Sequence, residues 1–136
     1  MSTSSQTGMT VQDMLNIESA FRQHMDDIVE SANNITGNNI TLCGRSAAQN
    51  LYQVMNQYKS IEATVFWMEY QVNRKLFPAQ LMSEIVKALR NTTIVDKIVE
   101  DLGITRESIK QEIKVRYAVQ LMAFVSRYIR IRTTKS

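Results

Sequence analysis

Ile109, Ile113, Tyr117, Leu121, Phe124 and Tyr128 recur at steps of three and four residues. That rhythm matches 3.6 residues per turn, so all six lie on one face of a single helix about five turns long. The rest of the chain keeps the same period. Met14, Ile17, Phe21, Met25 and Ile28 form a stripe over 10–31. Ala47, Leu51, Val54, Met55 and Tyr58 form another after Ser46. Ile61, Val65, Met68 and Val72 carry a third helix ending near Leu76, with Lys59-Ser60 as a break or a bend before it. Leu81, Ile85, Val86 and Leu89 follow Pro78, a residue suited to a first helical turn. Ile94, Val95, Ile98, Val99 and Leu102 follow Thr93 and stop at Gly103, a natural C-terminal breaker. Thr105 is placed as the cap of the last helix, which should run to about Arg132.

One proline and four glycines leave little punctuation for a turn-rich β fold. No alternating strand pattern and no large repeat is visible. The expected fold is therefore all-α: one bundle of five or six helices over 10–132, closed by a long basic helix. Residues 1–9 should be a flexible polar lead and 133–136 a short polar tail. Asn33 to Gly44 should be the longest internal loop. Its two Asn-Ile-Thr triplets match a glycosylation pattern, discounted because the first residues lack the regions of a secretory signal. No apolar run approaches the roughly 20 residues needed to span a bilayer. Cys43 is the only cysteine, so no internal disulfide can form. A cytoplasmic setting without membrane contact is expected.

The side chains that enzymes use are sparse. His24 is the sole histidine, within reach of Asp27 one turn on. A metal site normally needs several ligands at compatible spacing, and a Cys43–His24 pair would need a third orienting group. Cys43 reads more naturally as a small buried residue. Asp96 with Glu100, and Asp26, Asp27 and Glu30, are carboxylate groupings also common on solvated helix faces. No phosphate-cradling glycine loop is present. Neither catalysis, a metal nor a cofactor is expected.

Charge is more informative. The net charge is +3. Residues 1–44 hold one basic and five acidic side chains, and 45–136 hold fifteen basic and eight acidic. No carboxylate side chain follows Glu112, whereas Lys114, Arg116, Arg127, Arg130, Arg132 and Lys135 do. A one-sided field of this kind attracts polyanions. On an ideal helix Arg116, Arg127 and Arg130 share a sector of roughly 60°, with Lys114 and Arg132 on the other flank. Such flanks can track phosphates. The alternative is that the arginine stems merely cover apolar surface. Trp67, Tyr70 and Arg74, with Lys75 adjacent, form a second patch that could stack bases if exposed, or pack into the core if not. Methionines along the stripes read as core filling.

Two resemblances add to this. The stretch 98–110, Ile-Val-Glu-Asp-Leu-Gly-Ile-Thr-Arg-Glu-Ser-Ile-Lys, resembles a helix-turn-helix within 94–114. In that family the start of the second helix enters the major groove, which would turn Thr105, Arg106 and Lys110 toward DNA. Val99 stands where the family usually has a small residue, and the second helix is far longer than usual. The whole chain also resembles the small-subunit family of CRISPR effector complexes, through the 52–58 and 66–75 helices and the basic closing helix 114–132. That resemblance implies a non-catalytic helical subunit of a ribonucleoprotein complex. It would contact RNA or DNA backbone and pack beside other subunits, including copies of itself. The candidate phosphate contacts are Lys59, Arg74, Lys75, Lys114, Arg116, Arg127, Arg130 and Arg132. A protein-binding adaptor or chaperone, docking through the acidic first helix, is the third reading.

Overall fold

A computed structural model describes residues 8–37 and 39–134, with side chains as far as 133. It contains seven helical segments among the described residues and no strand: α1 (Val11–Gln23), α2 (Met25–Gly37), α3 (Arg45–Tyr58), α4 (Ile61–Asn73), α5 (Ala79–Leu89), α6 (Thr93–Leu102) and α7 (Glu107–Thr134). Only His24 separates α1 from α2, so counted together they give the six of an all-α bundle.

Local chemistry explains most of the boundaries. Thr10 accepts from the Asp13 amide while the Asp13 carboxylate accepts from the Thr10 amide, each at 3.0 Å, which closes a reciprocal cap on α1. The Lys59-Ser60 pair is a true break. Lys59 sits in the left-handed region (φ 54°), and Ser60 Oγ accepts from the Ala63 amide to start α4. Gly103 ends α6 at φ 63°, with the Ile104 amide donating back to the Val99 carbonyl at 3.0 Å.

Four boundary expectations are corrected. Thr92, not Thr93, precedes α6, and its hydroxyl donates to Asp96 Oδ2 at 2.9 Å. Arg106, not Thr105, stands at the start of α7, where its carbonyl accepts from the Lys110 amide. The first helix is interrupted at His24 rather than continuous. The Asn-rich stretch is not loop from Asn33, because α2 continues to Gly37. Ile35 is buried, and the Thr36 hydroxyl donates to the Ala32 carbonyl at 3.0 Å. Arg132 supplies the rest, donating to the Asn33 carbonyl at 3.4 Å and to Asn33 Oδ1 and Thr36 Oγ1. A distant cation thus caps the carbonyl end of α2. At the other terminus, residues 1–7 of the expected flexible lead lie outside the described residues, as does Lys135. The last helix runs to Thr134, two residues beyond the expected end.

The long helix α7 is the axis of the bundle. It packs mainly against α3 and α2, and also against α6. Ile113, Ala118, Leu121, Met122, Val125 and Ile129 are essentially inaccessible to solvent. Its 28 residues span about 42 Å. Tyr117 Oη donates to the Ala88 carbonyl at 3.4 Å, tying α7 to α5. Burial pushes its hydroxyl above the usual tyrosine range, with a Ser31 hydrogen bond opposing. Cys43 is buried beside this core, and loss of solvation pushes its thiol up to about 11. No described helix is long and apolar enough to cross a membrane.

Candidate nucleic-acid interface

The arginines of α7 meet very different neighbours. Arg116 reaches α1, where it pairs with the Glu18 carboxylate and lies over the Phe21 ring at 5.1 Å. Arg132 reaches α2 as the cap just described and stacks over Tyr128 at 4.8 Å. Both guanidinium groups are half-buried and engaged inside the bundle. The 116–127–130 sector therefore does not act as one free ridge, since Arg116 is neutralised by a carboxylate from the opening helix and Arg130 is half-buried with its Nε closed off from solvent.

Arg127 and Arg130 form the remaining part of that sector. They line a cavity of about 180 Å³ between α7 and α3, together with Gln49, Tyr52, Gln53 and Ser126. Arg127 is exposed and stands over the Phe124 ring at 5.6 Å. Gln49 and Gln53 are one turn apart on α3, so their amides project along the same edge with the half-buried Tyr52 beside them. No carboxylate lines this cavity. Two guanidinium forks, two amides, a hydroxyl and an aromatic ring make a surface of hydrogen-bond donors around one stacking face.

One turn further toward the start of α7 the same seam widens to about 410 Å³. There Lys59 faces Val115, Val119 and Gln120, with Glu112 and the engaged Arg116 at its edge. Lys59 Nζ donates to Asn56 Oδ1 at 3.0 Å, and among the described residues no carboxylate pairs with it. Lys114 points to the opposite flank, into a third cavity of about 400 Å³ that also includes Lys59. The structure thus brings Arg127 to Arg130 and Lys59 to Lys114, and holds Arg116 and Arg132 inside.

Arg74 and Lys75 stand apart from all of these, at the exposed corner between α4 and α5. Arg74 lies 5.5 Å over the Tyr70 ring. Tyr70 is 53% exposed and Phe66 70%, so Phe66, Tyr70 and Arg74 make an outward ridge at four-residue spacing. Trp67 turns inward instead, edge-on to Phe77 at 6.0 Å. The second patch is therefore split: Tyr70 and Arg74 are outside and Trp67 is not. Phe66 joins this ridge without a role expected from the sequence, although its four-residue spacing from Tyr70 is the signal for it. Gln49 and Gln53 likewise join the cavity unexpectedly, and their spacing around Tyr52 is the corresponding signal. Tyr58, placed in an apolar stripe, is exposed.

Across the helix-turn-helix stretch, Ile109 and Ile113 are buried, Thr105 and Arg106 are exposed and Lys110 is half-buried, and the Arg106 guanidinium donates to the Gly8 carbonyl at 2.8 Å. His24 Nδ1 lies 3.6 Å from Asp27 Oδ2, and among the described residues no three potential metal ligands come together. No family model, curated protein or solved structure matches this chain.

Proposed function

We propose that this chain is a non-catalytic helical subunit of a nucleoprotein complex, holding nucleic-acid backbone in the seam between α3 and α7. The observation that carries the reading is the carboxylate-free cavity in which Arg127 and Arg130 stand beside Tyr52, Gln49 and Gln53. Guanidinium forks match phosphate oxygens, and an aromatic face accepts a base of any sequence. On this reading recognition is of backbone and shape rather than of base edges. The resemblance to small subunits of CRISPR effector complexes supplies the assembly this subunit would serve, an RNA-guided antiviral particle. Exposed Val11 and Leu15 on α1, and the Phe66–Tyr70 ridge on α4, support side-by-side contact with protein neighbours.

The test is a salt series. Single-stranded oligonucleotides of unrelated sequence should bind with similar affinity, and log affinity should fall linearly with log salt. Substituting Arg127 and Arg130 together by Ala should flatten that dependence. A strong preference for one duplex sequence would instead indicate a regulator. Absence of binding at low salt would indicate an adaptor.

A further inference from the structure

The cavity at the far end of the seam has a composition of its own. Two chain corners, the α3–α4 break and the α5–α6 connection, meet the first third of α7 there. They bring Lys59, Arg90 and Lys114 around a space of about 400 Å³, above an apolar floor of Ile61 and buried Leu89. Among the described residues neither Lys59 nor Lys114 meets a carboxylate. Arg90 does meet one, Glu62, at 3.3 Å, but both side chains are largely exposed, and such pairs exchange partners at little cost. Ser60 uses its oxygen to accept from Ala63, which leaves its hydroxyl proton available to a ligand. The Thr92 hydroxyl is already committed to Asp96. The N-termini of α4 and α6 open onto the same space and add the positive ends of two helices.

We infer that this cavity binds a terminal phosphomonoester, with Lys59, Lys114 and Arg90 holding the dianion and Ile61 and Leu89 under the organic group it carries. Three cations against one displaceable carboxylate suit a dianion better than the single charge of a phosphodiester. The volume fits a ligand of mononucleotide size. Two sources share this chemistry: a free nucleoside monophosphate, and the phosphorylated end of a strand. The second rests on the proposed backbone reading, because Lys59 also borders the cavity leading toward Gln120. Lys114 and Arg130 are sixteen residues apart on α7, about 24 Å, so this site and the arginine groove can be perturbed separately.

The experiment is an amide-shift titration of the full chain with adenosine monophosphate and with adenosine. It is followed by binding of one oligonucleotide bearing either a phosphate or a hydroxyl at each end. The inference expects saturable shifts at residues 59–62 and 111–114 with the monophosphate and none with adenosine. It also expects at least a tenfold loss in Lys59→Ala/Lys114→Ala, and no change in Arg127→Ala/Arg130→Ala. Lys114→Gln alone, on a half-exposed side chain, guards against misfolding and should lose severalfold. Tighter binding of the phosphate-ended strand, dependent on Lys59 and Lys114, assigns the strand end as the source. A monophosphate response without that preference assigns the free nucleotide. Equal shifts with adenosine, no shifts at millimolar monophosphate, or full affinity in the lysine variants would overturn the site. If strand binding fails while the monophosphate still binds, only the backbone reading falls.

Discussion

Arg116 and Arg132 differ from Arg127 and Arg130 in almost nothing that α7 itself provides. All four are the same residue type on one helix, and each pair carries an aromatic contact or a helix-edge position. The difference lies in the opposing helix. Arg116 meets Glu18 of α1, and Arg132 meets the carbonyl end of α2. Arg127 and Arg130 face the amides and ring of α3. The first pair is tied to α1 and α2, whereas Arg127 stands exposed beside a cavity that Arg130, half-buried and with its Nε closed off from solvent, also lines. A basic helix is therefore not a basic surface until its neighbours are known.

The comparison can be broken or sharpened by graded perturbations. The largest acts on both regions, because Cys43 lies between α2 and α3, the helices that flank α7. Its thiol titrates near 9 when unfolded and is pushed up to about 11 by burial. The folded state therefore holds its proton longer. The Cys43 contribution to stability is fully present below pH 9 and is lost as pH rises toward 11, by roughly 2 to 3 kcal/mol at the upper end. Urea titrations across that range should show the decline, and Cys43→Ala should remove its share while the loss contributed by buried Tyr117 persists at the upper end.

Arg132→Ala should come next, at about 2 kcal/mol, since it uncaps α2 and leaves the Thr36 region without its donor. Thermal melting reads the loss, and strand affinity corrected for folding should not change. Arg127→Ala/Arg130→Ala should do the reverse. It should lower melting less than Arg132→Ala does, reduce strand affinity about tenfold (~1.4 kcal/mol) at low salt, and lower the single-strand salt slope by roughly 1.4. Glu18→Gln is the smallest and most discriminating. It should cost under about 1 kcal/mol, because the Arg116 pair is only half-buried, and raise strand affinity severalfold by releasing Arg116. Fluorescence anisotropy on the variant would show whether a freed Arg116 extends the groove.

The helices were legible because their period is local. Ile109 to Leu121 announce α7 without reference to anything outside it, and Gly103 marks the turn before it. The status of Arg116 and Arg132 was not legible, because it depends on partners 98 and 99 residues away. The same distance dependence explains the Asn-rich end of α2, which reads as loop until Arg132 arrives to cap it. Exposure misled where an aromatic ring sat at a helical spacing that did not face the core. Tyr58 closes α3 on the solvent side, and Tyr70 with Phe66 lies on the outer face of α4. Periodicity gives a stripe but not which of two stripes on one helix is covered.

The most direct measurement follows the arginine side chains themselves. With the Nε–Hε groups of Arg116, Arg127, Arg130 and Arg132 assigned by NMR, a short single-stranded oligonucleotide is added at low salt. Arg127 and Arg130 should shift progressively while Arg116 and Arg132 stay in place. Uniform movement of all four, or movement confined to Arg116 and Arg132, would contradict the division of labour along α7.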